Sequence, residues 1–417
     1  MTSPFQTRDQ ALYCDEVALA DVAAAHGTPT YVYSAAYILG RYAGLASALK
    51  GLDATICYAL KANSNQAIIS LLGKAGAGAD VVSIGEYRRA RRAGIAPEKI
   101  VFAGVGKTRA EMAEALDGGL LQLNVESVAE LEALNSVAGE RGHMAPVALR
   151  LNPDVDAKTH AKITTGKAEN KFGIPLDEAA ALRDRLHDFP HIRLESLAVH
   201  IGSQLTDLSP YRAAYAKLAD AARAFIAAGC NLQRIDIGGG LGVTYDAEVE
   251  PDLGAFAQIV AETVGAIGLP LVTEPGRYLV AGGGALLTQT IYVKEGREKR
   301  FIIADAAMND LIRPTLYDAH HGIQIPRGQM HALKTDVVGP VCETGDVLAV
   351  GRTLPITDAG DLMVIEGAGA YAAVMGSTYN TRALPAEVLV RGDRFDLIRP
   401  RQDLDTLIDQ DLVPGDL

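Results

Sequence analysis

Cysteine is scarce in this sequence, and the four that occur lie far apart, at Cys14, Cys57, Cys230 and Cys342. No two of them form a Cys-x-x-Cys pair, so their spacing fits neither a zinc ribbon nor a disulfide framework, and we predict no metal site. The sequence also lacks a stretch of about 18 uncharged apolar residues, which a membrane-spanning helix needs. No basic segment followed by an apolar run occurs at the N-terminus, so we expect no secretory signal and a soluble, cytoplasmic protein.

Basic residues are outnumbered, because 39 Lys and Arg stand against 51 Asp and Glu, which gives a net charge of −12 at pH 7. Such a chain has no bulk attraction for phosphate backbones or anionic membranes, so binding to nucleic acid would need a local basic patch. The cluster of Arg88, Arg89, Arg91 and Arg92 lies on one predicted helix and is interpreted as a solvated helix face. We expect neither nucleic acid nor a membrane as a partner.

Short apolar runs rich in β-forming residues recur along the chain, with amphipathic segments between them. The runs are ATICYAL (54–60), GADVVS (78–83), KIVFAG (99–104), LLQLNV (120–125), PVALRLN (146–152), LESLAVHIG (194–202), RIDIGG (234–239) and LVTEPG (271–276). Eight strand–helix units in about 220 residues fit the count and size of a (β/α)8 TIM barrel. An open, doubly wound sheet is the alternative, because periodicity does not distinguish a closed sheet from an open one.

The pattern changes after about residue 277. Four later segments read as strands and turns with little helix between them: 285–295, 299–306, 334–343 and 386–398. We therefore expect a barrel over residues 31–277 and a β-rich domain, a β-sandwich or β-barrel, built from residues 1–30 and 278–417. A long polar insertion follows the fifth predicted strand at residues 153–173, and a loop of that length is often an active-site lid.

Polar residues stand where the predicted barrel strands end. In a (β/α)8 barrel the chemistry lies at the carboxyl ends of the strands. That rim would carry a lysine, a histidine, a glutamate and an arginine, namely Lys61, His200, Glu274 and Arg277. Each residue taken alone has an ordinary structural explanation, but their occurrence on one rim favours a functional site.

A glycine-rich loop, with Gly238, Gly239, Gly240 and Gly242, follows the seventh predicted strand. Backbone N–H groups without side chains can approach an anionic oxygen closely. The loop does not fit a dinucleotide fingerprint, because Val243 stands where the last glycine of G-x-G-x-x-G belongs, and it does not fit a nucleoside triphosphate loop either. A single phosphate is the predicted guest, and a tight turn without a ligand is the alternative.

A lysine nucleophile, a carboxylate and a cradle for one phosphate together suggest pyridoxal 5′-phosphate. Lys61 would form the Schiff base, Glu274 would pair with the pyridine nitrogen, and His200 would stack on the ring. Such a site stabilises the carbanion left when an amino acid loses CO2, an α-proton or part of its side chain. A sugar-phosphate enzyme that uses only the glycine loop is the alternative outside this class.

Five motifs carry a resemblance to a known family. In order, YALKAN, HIGSQ, GGGLG, EPGR and VCETGD resemble the signatures of the alanine-racemase-fold decarboxylases that depend on pyridoxal phosphate, the fold type III enzymes. CETGD together with NDLIRPTLY is similar to the branch that acts on meso-diaminopimelate, since the branches for ornithine or arginine carry Asp in place of Glu343. The resemblance implies decarboxylation of meso-2,6-diaminopimelate to L-lysine and CO2, the last step of lysine biosynthesis. A decarboxylase for another diamino acid and a non-catalytic pyridoxal-phosphate carrier are the alternatives.

The resemblance also implies roles for single residues, with Lys61, His200 and Glu274 as above. The other cofactor-binding groups would be Ser203, Gly238, Gly239, Gly240, Gly276, Arg277 and Tyr371. The substrate-binding groups would be Arg277, Arg313, Tyr317, Glu343 and Tyr371, in which arginines suit the substrate carboxylates and Glu343 suits the distal ammonium. Cys342 would protonate the carbanion, and in the family this residue comes from the second subunit, so we expect a homodimer with shared active sites.

Overall fold

The structure is a computed structural model that describes residues 2–156, 171–326 and 329–415. The chain divides into two compact units. The barrel unit comprises residues Leu39–Thr244 and Glu248–Leu279. The β-rich unit comprises Met1–Ile38, Tyr245–Ala247 and Val280–Leu417.

Among the described residues, eight parallel strands form the ring of the barrel unit, and each lies within one of the eight predicted runs or overlaps it. They are β1 (Ala54–Ala59), β2 (Gly78–Val81), β3 (Ile100–Phe102), β4 (Gln122–Val125), β5 (Ala145–Asn152), β6 (Ile192–Val199), β7 (Arg234–Asp236) and β8 (Leu271–Thr273). Each strand pairs with the next, and β8 pairs with β1 through Leu271 and Ala54, so the ring is closed. The closed ring confirms the predicted (β/α)8 barrel and excludes the open sheet.

Helices connect the strands of the barrel. They are α1 (Gln66–Lys74), α2 (Ile84–Arg92), α3 (Arg109–Gly118), α4 (Val128–Arg141), α5 (Leu176–Asp184), α6 (Ser209–Ala227) and α7 (Leu253–Glu262). The helices α2, α3 and α4 each begin at a Ser/Thr-x-x-Glu sequence, in which the hydroxyl accepts from the backbone N–H of the glutamate. These pairs are Ser83 with Glu86, Thr108 with Glu111, and Ser127 with Glu130. The caps fix the start of each helix a few residues after the strand that precedes it.

In the described part of the β-rich unit, the strands form a mixed sheet of nine and a smaller sheet of three. The nine are Thr30–Ser34, Gly284–Glu295, Arg300–Ala304, Ile323–Gln324, Thr335–Val338, Val347–Arg352, Leu362–Ile365, Ala386–Arg391 and Arg394–Arg399. The three are Phe5–Arg8, Ala11–Cys14 and Val17–Ala18. Strand Thr30–Ser34 runs antiparallel to Gly284–Glu295 on one side and parallel to Ala386–Arg391 on the other. A mixed β-sheet unit after the barrel confirms the predicted second part of the fold class.

The remaining elements are short. A two-residue strand, Ile174–Pro175, pairs with β5, and the other α-helices are Leu19–His26, Ala35–Ala48, Arg277–Val280, Arg313–Tyr317 and Leu404–Ile408. In the part of the chain that the structure describes, no helix combines the length and apolarity needed to cross a membrane. Of the polar insertion predicted at 153–173, residues 157–170 lie outside the described residues, and its action as a lid stays a prediction.

Candidate active site

The barrel residues predicted from the strand ends lie around one cavity. Lys61 follows β1, His200 follows β6, and Glu274 follows β8, as expected for the carboxyl rim of a (β/α)8 barrel. All three line a cavity of about 260 Å³. Its wall is otherwise formed mainly by apolar or small residues: Val82, Ala103, Gly104, Val105, Phe172, Ala198 and Val199, with Asn124 and Arg150.

The predicted nucleophile Lys61 is paired with a buried carboxylate. Its Nζ donates to Asp80 Oδ2 at 2.9 Å, and Asp80 at the end of β2 is fully buried whereas the lysine side chain is 36% exposed. The second oxygen, Asp80 Oδ1, is buried and has no hydrogen-bond partner among the described residues. Our sequence interpretation missed Asp80, although a lone charge inside the apolar run GADVVS was a usable signal.

Glu274 is buried beside another carboxyl group. Its Oε1 accepts from Asn124 Nδ2 at 3.0 Å. Burial, followed by the nearby negative charges of Asp236 and Asp80, raises the pKa of Glu274 well above its ordinary value. Burial therefore favours the protonated form of this carboxyl group, which faces the cavity.

His200 is held in its neutral form. Burial, together with the positive charges of Arg150 and Lys61, holds the pKa of His200 well below its ordinary value. Its Nδ1 accepts a hydrogen bond from the backbone N–H of Gly239 at 3.3 Å. That contact requires the tautomer with hydrogen on Nε2, and it joins the ring to the glycine loop.

The glycine loop fits closely between neighbouring strand ends. A Cβ atom on Gly238, which has φ +65°, would lie 2.1 Å from the carbonyl oxygen of Val199. A Cβ on Gly239 would lie 2.1 Å from the carbonyl oxygen of Glu274. Both obstacles are backbone atoms, so a side chain at either position would force the strand ends apart. The loop is therefore glycine for a steric reason.

Ser203 and Arg277 lie together in the barrel unit. Ser203 Oγ accepts from Arg277 Nε at 3.3 Å and from Nη2 at 3.2 Å. Arg277 follows Gly276, at which a Cβ would lie 3.0 Å from the Cβ of Ala62, the residue after Lys61. A serine hydroxyl and a guanidinium group beside a glycine loop form a donor set suited to a phosphate or a carboxylate.

A second ion pair reaches the cavity, and our sequence interpretation missed its carboxylate, Glu126. Arg150 Nη1 donates to Glu126 Oε1 at 2.7 Å, and Glu126 Oε2 accepts from the backbone N–H of Gly173 at 3.0 Å. The Arg150 guanidinium carbon lies 5.1 Å from the ring centre of Phe172, which lines the cavity. These contacts hold Phe172 and Gly173 against the barrel residues Arg150 and Glu126.

The other predicted site residues belong to the β-rich unit. Arg313 Nε donates to Nε2 of the fully buried His321 at 3.3 Å, and the guanidinium carbon lies 5.0 Å from the ring centre of Tyr245. The opposite nitrogen, His321 Nδ1, lies 2.7 Å from the carbonyl oxygen of Glu366. Since Nε2 accepts, Nδ1 carries the hydrogen and donates to that carbonyl, so a neutral histidine holds the arginine. Tyr317 lies one helical turn after Arg313 on the short helix Arg313–Tyr317.

Cys342 and Glu343 lie next to each other in a turn of the β-rich unit. Cys342 is exposed, and its backbone N–H donates to Asn380 Oδ1 at 3.0 Å. The hydroxyl of Tyr379 hydrogen-bonds the Glu343 carboxylate, and this contact raises the pKa of Tyr379. Tyr371 adopts φ +53°, in the left-handed region that few non-glycine residues occupy. A backbone conformation of this kind often marks a functional position.

The structure thus brings together one group of predicted residues in the barrel unit: Lys61, His200, Ser203, Gly238, Gly239, Gly240, Glu274, Gly276 and Arg277. A second group lies in the β-rich unit: Arg313, Tyr317, Cys342, Glu343 and Tyr371. The barrel group fits pyridoxal phosphate by the chemistry of its donors. An amine, a buried carboxyl group, a neutral imidazole and a glycine loop with an arginine match the aldehyde, ring nitrogen, ring face and phosphate of that cofactor.

Comparisons with known proteins agree with this geometry. Residues 36–281 match the family described as pyridoxal-dependent decarboxylase, pyridoxal binding domain. The chain is 46% identical to the diaminopimelate decarboxylase of Zymomonas mobilis over 97% of each protein, and 47% identical to that of Pseudomonas aeruginosa over 97% of each. Among solved structures, the diaminopimelate decarboxylase of Helicobacter pylori complexed with L-lysine has a TM-score of 0.91 at 42% identity, covering 94% of this chain and 98% of that one. The enzyme of M. jannaschii in co-complex with L-lysine has a TM-score of 0.94 at 34% identity, covering 99% and 98%.

Proposed function

The chain belongs to the diaminopimelate decarboxylases within the pyridoxal-dependent decarboxylase family, and from this premise we propose how its residues convert meso-2,6-diaminopimelate into L-lysine and CO2. The reaction is that of a carboxy-lyase and ends lysine biosynthesis. Family membership confirms the cofactor and reaction that the motifs implied. The observation that carries the proposal is the presence of Lys61, His200 and Glu274 around one cavity in a chain so similar to these enzymes.

Pyridoxal phosphate, when bound, accepts the electron pair that remains on the α-carbon as CO2 leaves. Lys61 would hold the cofactor covalently, and Asp80 holds its Nζ at 2.9 Å so that the amine points from β1 toward β2. Glu274 would face the ring nitrogen and keep a proton there, as its raised pKa allows. His200 would pack on the ring as a neutral imidazole, which adds no charge beside it.

The groups assigned to the phosphate end of the cofactor follow the carboxyl ends of β6, β7 and β8. Ser203 and Arg277 supply hydroxyl and guanidinium donors in the barrel unit. The loop Gly238–Gly240 adds a backbone without side chains, in which the N–H groups of Gly238 and Gly239 donate to Asp236 Oδ1 and His200 Nδ1. Gly276 belongs to the same set, because its lack of a side chain permits close packing beside Lys61. Tyr371 adds a hydroxyl donor by resemblance to the family.

The substrate carries two carboxylates and two ammonium groups, so its recognition requires charges of both signs. Arg277 and Arg313 supply cations that bind carboxylates bidentately, and Tyr317 and Tyr371 add hydroxyl groups. Glu343 supplies the anion for the distal ammonium. A site built from these groups rejects a diamino acid without the second carboxylate, because its own charges would then stay unpaired.

Cys342 is the proposed proton donor to the α-carbon, and we propose that the partner subunit of a homodimer supplies it. The exposure of Cys342 on its own chain supports this assignment, because a proton donor for a neighbouring subunit must be accessible before assembly. Mixing Lys61→Ala and Cys342→Ala proteins should restore about one quarter of wild-type activity, since half the dimers are mixed and each has one intact site. Recovery of no activity from a confirmed mixed dimer would contradict shared sites.

The direct test of the function combines absorbance, CO2 release and chemical trapping. We expect the wild-type protein to show a visible band with pyridoxal phosphate and to release CO2 from meso-diaminopimelate but not from ornithine. Borohydride reduction followed by peptide mass spectrometry should label Lys61. Lys61→Ala should lose the band and the label, whereas Lys50→Ala, at an exposed lysine outside the site, should retain both. A band without CO2 would redirect the assignment to another diamino acid, and the absence of a band would contradict the cofactor.

A further inference from the structure

A buried polar cluster inside the barrel includes Glu274, the proposed partner of the ring nitrogen. It consists of Gln122 and Asn124 on β4, Asp236 at the end of β7, and Glu274 after β8. None of the four is more than 7% exposed, and Gln122 and Asp236 are fully buried. Polar groups in such an interior destabilise the fold unless they are hydrogen-bonded to one another, so their arrangement is strongly constrained.

The orientation of Asn124 is fixed by its neighbours. Its Oδ1 accepts from Gln122 Nε2 at 2.8 Å, and its Nδ2 donates to Asp236 Oδ2 at 3.1 Å and to Glu274 Oε1 at 3.0 Å. Gln122 Nε2 also donates to Asp236 Oδ2 at 3.0 Å. Asp236 Oδ2 therefore receives two amide donors, and one of these donors also holds the Glu274 carboxyl group.

The other oxygen of Asp236 serves the glycine loop. Asp236 Oδ1 accepts from the backbone N–H of Gly238 at 2.9 Å. The carbonyl oxygen of Gly238 in turn accepts from the backbone N–H of Glu274 at 2.7 Å and from Thr273 Oγ1 at 2.9 Å. The Asp236 carboxyl group thus contacts Gly238 directly, and it is linked to Glu274 through the side-chain amide of Asn124.

We propose that Asp236 is a positioning residue that couples the two ends of the cofactor site, with one oxygen setting the Gly238 turn and the other setting, through Asn124, the direction of the Glu274 carboxyl group. The proposal rests on the proposed function, which assigns Glu274 to the ring nitrogen and the loop to the phosphate. Burial raises the pKa of Asp236 to about 6, and the nearby charge of Asp236 adds to the burial that raises the pKa of Glu274.

The decisive variant is Asp236→Asn, which preserves the shape but replaces one acceptor oxygen with an NH2 group. If the new NH2 group takes the place of Oδ1, it faces the N–H of Gly238. If it takes the place of Oδ2, it faces the side-chain NH2 groups of Gln122 and Asn124. A donor facing a donor in a buried site leaves both unsatisfied. We expect pyridoxal phosphate to bind roughly 10- to 100-fold more weakly to the cofactor-free protein. The absorbance of the bound form should also shift, as ring protonation changes.

A matched control removes a hydrogen bond from the same loop without touching Asn124. Thr273→Val is nearly isosteric and deletes only the contact to the Gly238 carbonyl, so we expect less than about a threefold loss of affinity and no spectral shift. A double-mutant cycle of Asp236→Asn with Glu274→Gln should be non-additive, because the first change acts partly through the second residue. A role confined to stability would lower the unfolding midpoint of both Asp236→Asn and Thr273→Val without separating their spectra.

If Asp236→Asn does not fold, Asn124→Ser carries the same test, because it removes both donations of Nδ2 and leaves Asp236 in contact with Gly238. Wild-type affinity and spectrum in the folded variant, or additive effects in the cycle, would overturn the inference. Failure of the wild-type protein to bind pyridoxal phosphate at all would instead overturn the proposed function. The two failures are therefore distinguishable in one set of titrations.

Discussion

Replacing Gly239 with alanine offers a direct test of why the loop after β7 is built from glycine. The added Cβ would lie 2.1 Å from the carbonyl oxygen of Glu274 and 2.9 Å from its carbonyl carbon. Ordinary contact distances are about 3.5 Å, so the shortfall to the oxygen exceeds about 1 Å. The obstacle is backbone that β8 holds in place, so a rotamer change cannot relieve the clash.

The expected magnitude follows from overpacking a rigid site, which costs about 1–3 kcal/mol. We expect the upper end for Gly239→Ala, about 3 kcal/mol of lost unfolding free energy, because both sides of the clash are main chain. The displaced carbonyl belongs to Glu274, so pyridoxal phosphate should also bind more weakly. Both quantities can be measured on the cofactor-free protein, the first by urea denaturation and the second by absorbance titration.

Gly106→Ala is the matched control. Nothing lies within 4 Å of a Cβ at Gly106, and its backbone is outside the left-handed region, so the same chemical change should alter stability by less than about 0.5 kcal/mol. Equal urea midpoints and equal cofactor affinities for Gly239→Ala and Gly106→Ala would refute the steric explanation. A loss in both variants would show a general intolerance of the rim loops to alanine.

Two further predictions concern buried charge. The pKa of Glu274 is raised by burial, so an unfolded chain ionises this group above about pH 4.3 while the folded chain keeps its proton. The unfolding free energy of the cofactor-free protein should therefore fall as pH rises above about 4.3, and Asp236, whose pKa burial raises to about 6, should add to the fall. Glu274→Gln should flatten the fall, and an unchanged slope in that variant would contradict the assignment. Lys107 donates to Glu130 at 2.6 Å and to the carbonyls of Gly104 and Asn124 at 2.7 Å each, with a side chain only 1% exposed. Lys107→Met should cost about 3–5 kcal/mol in urea denaturation, and the double change with Glu130→Gln should recover part of it; no recovery would argue against an unpaired charge as the cause.

The barrel rim was predictable because its signals are local. A strand followed at once by Lys61, His200 or Glu274 can be read from neighbouring residues, and the carboxyl ends of parallel strands meet on one rim. Closure was predicted from the number of strand–helix units and not from their periodicity, since it depends on the pairing of Leu271 with Ala54, which lie at opposite ends of the barrel sequence. Periodicity carries no information on which strands pair.

The polar interior of the site was missed for a different reason. Asp80, Asn124 and Asp236 lie within short, mostly apolar runs that indicate strands, and nothing in such a run marks one polar member as functional. Only the fold shows that these side chains meet across the barrel, where Asn124 contacts Asp236 and Glu274. A charged or amide residue inside a predicted barrel strand is a signal worth testing in similar sequences.

The strand Thr30–Ser34 has a consequence for the order in which the molecule is made. Its neighbours Gly284–Glu295 and Ala386–Arg391 leave the ribosome long after it, the second of them roughly 20 to 70 seconds later at 5–20 residues per second. During that time the barrel sequence can fold as a unit, while the early strand has both edges unpaired and is open to association with other chains. The sheet can therefore be completed only after Ala386–Arg391 has been made, and a ribosome that stops before Ala386 releases a chain in which this strand lacks one of its two partners.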